Sequence, residues 1–306
     1  MTAAVVGIFG PTASGKTDVA EAVADRLPGE LVSADAMQAY RGLPVLTNQS
    51  ARPTRLVGIW ALMHEASVAE YQELAHAEID ELLADGATPI VVGGTGLYLR
   101  AALADLELPP PPEPGTRERF DAMYEELGPE GAHSALAARD PSAAARIHPN
   151  DRRRVVRALE LAEAGASLAP TADSLWSESY RHPTLVVALD VPREVLAGRI
   201  EARTSSMIER GVVEEARAAF DHPISRTAST IHGLRDFAEL PREQAVETYT
   251  RRVRRYAAYQ RKWMRRIPGV VIIDANRPAT EVADEIVELA RTRERLPGDG
   301  AVRADA

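Results

Sequence analysis

The sequence predicts an α/β fold, a parallel sheet with helices on both faces, into which an all-helical module is inserted. Three observations predict it. Short apolar runs alternate with helical patterns through the first third of the chain. A proline-rich stretch, Pro109-Pro110-Pro111-Pro112-Glu113-Pro114-Gly115, then stops that rhythm. A strand-like run returns at Leu185-Val186-Val187-Ala188-Leu189-Asp190, after a long stretch with no convincing strand.

The elements follow in order. Val5-Val6-Gly7-Ile8-Phe9 is an uninterrupted apolar run, as in a strand buried on both faces. A glycine-rich turn leads to a helix over 17–26, and a second strand, 30–34, ends at Asp35. A helix over 67–84 carries Ser67 as N-cap with Glu70 three residues on, and Gly86 closes it. Thr88-Pro89-Ile90-Val91-Val92 is the third strand; Gly93-Gly94-Thr95-Gly96 turns into a helix over 97–106. After the proline hinge, 116–179 is helical. Helices over 193–220 and 242–266 flank the return to the sheet, with a last strand at 270–274 and an amphipathic helix at 281–291. The expected organisation is a discontinuous core, 1–110 with 182–296, a helical insertion over 111–181, and a disordered tail over 297–306.

Composition narrows the function. The chain has no cysteine, which excludes disulfides, thiolate catalysis and Cys-ligated zinc. No apolar run is long enough to span a membrane, and the first residues lack a basic leader, so a cytoplasmic protein is expected. The net charge is −9, yet basic residues crowd into Arg152-Arg153-Arg154 with Arg157, and again over 251–266. Such patches suit a phosphate backbone or simply a solvated helix face. Of 36 basic residues only Lys16 and Lys262 are lysines. A compact ammonium retained at 16 in an arginine background marks that position as chemically constrained.

Lys16 belongs to Gly10-Pro11-Thr12-Ala13-Ser14-Gly15-Lys16-Thr17, which fits G-x-x-x-x-G-K-[ST] at every fixed position and lies between a strand and a helix. The fold is therefore expected to be P-loop NTPase-like. Loop amides would wrap phosphate oxygens, Lys16 would neutralise their charge, and the Thr17 hydroxyl would ligate Mg²⁺. Asp35 closes a neighbouring strand; the next strand ends instead in Gly93-Gly94-Thr95, where backbone can approach a ligand and Thr95 offers a hydroxyl. All three strand ends converge on one edge of the sheet.

The P-loop together with Ser33-Ala34-Asp35-Ala36-Met37-Gln38 and Gly93-Gly94-Thr95-Gly96-Leu97-Tyr98 resembles, in order, the signatures of bacterial tRNA dimethylallyltransferases. So do Arg146-Ile147-His148-Pro149-Asn150-Asp151 with Arg154 and Arg157-Ala158-Leu159-Glu160, Met207-Ile208-Glu209-Arg210-Gly211, and Arg255-Tyr256-Ala257 with Gln260 and Trp263. The resemblance spans nearly the whole chain. It implies that the loop holds dimethylallyl diphosphate rather than ATP, and that the group passes to the N6 amine of the adenosine just 3′ of the anticodon. On this resemblance Asp35 is the general base, Thr95 positions the amine, and Arg203 binds diphosphate beside Lys16 and Thr17. Asp35, Ala36, Met37, Gln38, Thr95, Arg117, Arg153, Arg154 and Arg157 match positions that touch the tRNA anticodon stem-loop. The adenine must leave its stack for its amine to reach a buried carbon.

The chain departs from the family's pattern over 45–64, and Ala258-Tyr259 stands where a basic pair is usual. His64 and His148 have no metal-ligand partners at useful spacing. Other readings share part of the evidence: an isopentenyltransferase acting on free AMP, ADP or ATP, a small-molecule P-loop kinase, or an RNA-binding protein without chemistry. The arginine-bearing insert argues against the first, since a free nucleotide needs no stem clamp. With no sustained heptad seam, a monomer is expected.

Overall fold

The computed structural model describes residues 4–109, 113, 115–169 and 174–292. They fall into two compact units, Met1–Asp105 with Glu178–Ala306 and Leu106–Ser177. The hinge expected over 109–115 lies mostly, and the tail expected over 297–306 entirely, outside the described residues. The strands are β1 (Val5–Phe9), β2 (Gly29–Ser33), β3 (Thr54–Arg55), β4 (Thr88–Gly93), β5 (Thr184–Asp190) and β6 (Val271–Asp274). The helices are α1 (Lys16–Ala24), α2 (Val68–Ala84), α3 (Gly96–Leu103), α4 (Thr116–Arg139), α5 (Pro141–Ala144), α6 (Arg152–Glu163), α7 (Arg193–Glu209), α8 (Val212–Ala219), α9 (Leu234–Glu239), α10 (Arg242–Met264) and α11 (Ala279–Thr292).

In the larger unit six strands form one sheet in the order β3-β2-β4-β1-β5-β6, every pairing parallel. All five residues of β1 are buried, the condition its apolar run anticipates. Val6, Ile8, Leu31, Ile90, Leu185 and Val187 point into one core with α1 and α11. The amphipathic α11 supplies Val282, Ala283, Ile286, Val287 and Ala290 to it. Helix α2 starts as its sequence predicts, the Ser67 hydroxyl accepting from the Glu70 amide at 3.1 Å. One turn later Tyr71 donates its buried hydroxyl to the Ser33 carbonyl at 2.9 Å, tying α2 to the end of β2.

Four elements differ from expectation. The helix expected over 193–220 is two, because Gly211 takes φ 86° between α7 and α8, a conformation that stops an α-helix and suits glycine. Its apolar periodicity runs across that break, with Met207 and Val212 both buried, so the pattern gave no warning. The helix expected over 97–106 ends at Leu103, where Ala104 turns extended. The edge strand β3 and the short α9 carry too few residues for a period to register.

The smaller unit is helical. Within α4 the backbone leaves helical geometry at Gly128 (φ 69°, ψ 175°), just before Pro129. Asp140 caps α5 by accepting from the Ala143 amide at 3.0 Å, and Asp151 caps α6 through the Arg154 amide at 3.2 Å. Phe120, Tyr124, Leu136, Ile147, Val155, Val156 and Leu159 form its own apolar core. Against that core sits Glu160, 2% exposed. Arg117 grips its two carboxylate oxygens at 2.5 and 2.8 Å, and Arg157 adds a contact at 3.0 Å. Burial pushes the Glu160 pKa up, but the two guanidinium groups outweigh it and hold the carboxyl below its ordinary range.

A buried carboxylate stripped of its partners is costly, and so are partners stripped of it. Glu160→Gln is expected to cost about 3 kcal/mol near neutral pH, read from the unfolding midpoint. Because the folded pKa is depressed, this contribution is present above the ordinary glutamate range and is lost as pH falls through the folded value. The gap between wild type and variant should therefore close on acidification.

Candidate active site

The loop Gly10 to Thr17 leaves β1 and enters α1, and its conformation is set by two left-handed residues, Ala13 (φ 63°) and Gly15 (φ 86°). Ser14 donates its amide to the Pro11 carbonyl at 3.1 Å, closing the turn. A non-glycine residue at positive φ costs about 1 kcal/mol, strain of the kind held at ligand-binding loops. The loop is braced from outside by Gln260 of α10, which is 2% exposed. Its side-chain carbonyl accepts from the Thr12 amide and its amide donates to the Gly94 carbonyl, both at 2.8 Å. The glycines after β4 make that approach possible: a Cβ would lie 2.3 Å from Gln260 Nε2 at Gly94 and 2.2 Å from the Trp263 ring at Gly96.

Asp35 follows β2, and its Oδ1 accepts from the Met37 amide at 3.0 Å, an Asx-type turn that fixes the carboxylate. The Thr95 hydroxyl accepts from the Ala36 amide at 3.4 Å and lies 3.4 Å from the Tyr256 hydroxyl. Lys16, Thr17, Asp35, Met37, Gln38 and Arg203 line one cavity, closed by Asn48, His232 and the α10 stripe Tyr249, Val253, Tyr256 and Gln260. Burial lowers the Lys16 pKa from its ordinary value; Asp35 opposes that shift and Arg203 adds to it.

Beside it, a cleft of about 370 Å³ exposes Lys16 and Thr17 to Arg199, Arg203 and Arg277. Arg199 also reaches the Ser14 carbonyl at 3.4 Å. Ser14 Oγ and Arg203 Nε are buried with no hydrogen-bond partner among the described residues. Unfilled polar atoms facing a cationic cleft fit an anion of the phosphate type, which brings acceptor oxygens and negative charge together.

The divergent segment 45–64 is held firmly. Gln38 donates to the Thr47 and Asn48 carbonyls at 3.2 Å each, and Glu215 of α8 accepts from the Val45 and Leu46 amides at 2.9 and 2.7 Å. His64 stacks on Trp60 (5.3 Å between centroids) and bonds Glu70 at 2.8 Å, a packing role. His148, in the smaller unit, accepts from the Asn150 amide at 3.1 Å.

The P-loop, Asp35, Met37, Gln38 and Arg203 are thus brought together, with Ala36 and Thr95 joined to them. Arg117, Arg153, Arg154 and Arg157 belong to the smaller unit. Arg117 and Arg157 are engaged by Glu160, whereas Arg153 and Arg154 are exposed on α6. Sequence reasoning assigned no role to Asn48, Arg199, His232 or Tyr249. Positions 249, 253, 256 and 260 do recur at helical spacing, but a core stripe has the same signature.

Replacing Gln260 by Leu removes both bonds and leaves the Thr12 amide and Gly94 carbonyl unpaired. Isothermal titration with inorganic diphosphate is expected to show weaker binding by about 1–3 kcal/mol. Unchanged affinity would mean that the loop holds its shape alone.

The IPP transferase family model matches residues 38–267. A tRNA dimethylallyltransferase of Kineococcus radiotolerans is 39% identical over 312 residues, covering 96% of each chain. That of Salinispora tropica is 41% identical over 284 residues, covering 89% of this chain and 88% of its own. Among solved structures, the full-length tRNA isopentenylpyrophosphate transferase of Bacillus halodurans is 31% identical with a TM-score of 0.67, covering 95% of this chain and 98% of its own. A eukaryotic dimethylallyltransferase acting on tRNA, 22% identical with a TM-score of 0.75 and covering 95% and 79%, shares the fold. With a family match over more than half its length and relatives near 40% identity along almost all of it, the chain belongs to the IPP transferase family.

Proposed function

We propose that the protein transfers the dimethylallyl group of dimethylallyl diphosphate to the N6 amine of the adenosine 3′-adjacent to the anticodon in tRNA, releasing diphosphate. The observation that carries this reading is one cavity in which a phosphate cradle, a carboxylate and a phenol meet: Lys16 and Thr17, Asp35, and Tyr256, whose hydroxyl lies 3.4 Å from that of Thr95. The tRNA dimethylallyltransferases to which the chain is similar support it.

The allylic C1–O bond breaks with its electron pair leaving on the diphosphate, and a C1–N6 bond forms. Lys16, Arg203 and the loop amides stabilise the departing charge. Asp35 accepts the proton released from nitrogen, and Thr95 orients the amine. An exocyclic amine is a weak nucleophile, so orientation matters more than basicity.

No cluster of three or more His, Asp or Glu able to hold a metal occurs among the described residues. A Mg²⁺ ion that keeps several waters and takes its other ligands from substrate phosphates fits the single hydroxyl of Thr17. When bound, it supplies further charge neutralisation on the leaving group.

The Asp35 to Gln38 turn, Thr95 and the exposed Arg153 and Arg154 are assigned to RNA contact. Arg117 and Arg157 serve that surface by fixing α6 through Glu160. No helix among the described residues is long and apolar enough to cross a membrane, and we place the enzyme in the cytoplasm with its tRNA, acting as a monomer.

Incubation with dimethylallyl diphosphate, Mg²⁺ and either unmodified tRNA or AMP, read by nucleoside mass spectrometry, should give an adduct on tRNA adenosine alone. An adduct on AMP alone would move the protein to free-nucleotide chemistry. Lys16→Ala should abolish turnover through lost diphosphate binding. Asp35→Ala should cut turnover and leave tRNA affinity nearly unchanged. Arg154→Ala should weaken tRNA binding and lower its salt slope by about one, with diphosphate affinity intact.

A further inference from the structure

Two titratable side chains that line the catalytic cavity, Tyr249 and His232, have no task in the chemistry above; Tyr249 directs its hydroxyl to the Met207 sulfur at 3.6 Å, which leaves His232. His232 lies between a 3₁₀ turn, Ala228–Thr230, and α9, and faces the same cavity as Lys16, Asp35, Gln38 and Tyr256. Its ring meets the edge of Tyr256 at 4.7 Å between centroids and 70° between planes. The next residue, Gly233, is pressed so closely by Tyr249 that a Cβ there would lie 2.7 Å from that ring, so the backbone carrying the imidazole has a fixed path. Nε2 of His232 is buried and has no hydrogen-bond partner among the described residues. Buried polar atoms are seldom left so unless water or a ligand completes them. A residue that only packed against Tyr256 would not need a polar edge at all.

We infer that His232 is a specificity residue for the acceptor base: its imidazole N–H donates to the adenine ring nitrogen that neighbours the exocyclic amine, while the Asp35 carboxylate accepts from that amine. The inference rests on the proposed transfer to adenine N6. Adenine presents a donor, the N6 amine, beside an acceptor, N1 on one edge and N7 on the other. A carboxylate can only accept, and a neutral imidazole has one N–H to give, so the pair is complementary to either edge of adenine. Guanine places a carbonyl oxygen where adenine has the amine, and Asp35 would repel it. Burial and Arg252 keep the His232 pKa below the ordinary histidine value against the pull of Asp35, which leaves the ring neutral at pH 7. Tyr256, packed on His232 in the same cavity, offers a further hydroxyl to the base.

The test is an atom exchange on both partners. Anticodon stem-loop RNAs carrying adenosine, 1-deazaadenosine or 7-deazaadenosine at the acceptor position are prenylated by wild type, His232→Leu and His232→Gln, and kcat/KM is measured for each. With wild type, one of the two deaza substitutions should lower kcat/KM about tenfold, and which one identifies the edge that is read. His232→Leu should lose the same factor on adenosine and lose nothing more on that deaza RNA. His232→Gln, which keeps an N–H donor, should recover most of the rate and the sensitivity. A merely structural role for His232 would lower all three RNAs alike, and that outcome, or deaza effects equal in wild type and the leucine variant, would overturn the inference. If the leucine variant does not fold, His232→Phe carries the same comparison. Absence of any transfer by wild type to the adenosine RNA would overturn the transferase reading itself, and this inference with it.

Discussion

The site depends on a single amide side chain. Gln260 joins the P-loop to the glycine turn after β4 through two 2.8 Å bonds, and it does so from α10, an element that contributes nothing to the sheet. Being neutral, the link adds no charge to the cradle, so the field at the phosphate site remains that of Lys16, Arg199, Arg203 and Arg277. It is also insensitive to salt and to pH, unlike an ion pair in the same place. The backbone groups it satisfies are buried, and their desolvation would otherwise oppose the close approach of the two loops.

From that brace the rest of the cavity follows. With Gln260 fixed, the residues one, two and three turns earlier on the same face of α10, Tyr256, Val253 and Tyr249, are delivered to the cavity wall. Tyr256 then reaches the Thr95 hydroxyl, and Thr95 in turn accepts from the backbone just past Asp35. Asp35 and Thr95, the groups proposed to act on the amine, therefore hang on a chain of contacts that begins outside the sheet. The sheet itself, with β2, β4 and β1 side by side, sets only the origin of each loop. Gln38 and Glu215 clamp the segment after Asp35 that departs from the family's pattern, through its backbone carbonyls and amides.

Much of this was legible beforehand. The P-loop stood out because its chemistry demands particular residue types at fixed spacing between a strand and a helix, whereas Asp35 and Thr95 drew their expected roles from the family resemblance. The parallel strands were legible because burial on both faces leaves an unbroken apolar run. Gly211 was not, since an apolar period persists across it and only its φ breaks the helix. His232 and Arg199 were not, because a lone histidine or arginine has no local pattern; only the three-dimensional path brings them to the cavity. The arginines of the smaller unit show the reverse failure. A run of basic residues looks uniform in sequence, yet Arg117 and Arg157 are bound to Glu160 while Arg153 and Arg154 are exposed.

The brace between Thr12 and Gln260 spans 248 positions of the chain. During synthesis the phosphate loop emerges 248 residues ahead of its brace, so over that span the nascent polypeptide carries the motif without the support that shapes it. Closing so distant a contact is a late event in folding, after local helices and neighbouring strands have formed. The shape of the loop is thereby tied to the arrival of α10. A molecule truncated before α10 would keep the sequence signature of a phosphate site and lack its wall, its brace and the aromatic face that confronts the acceptor.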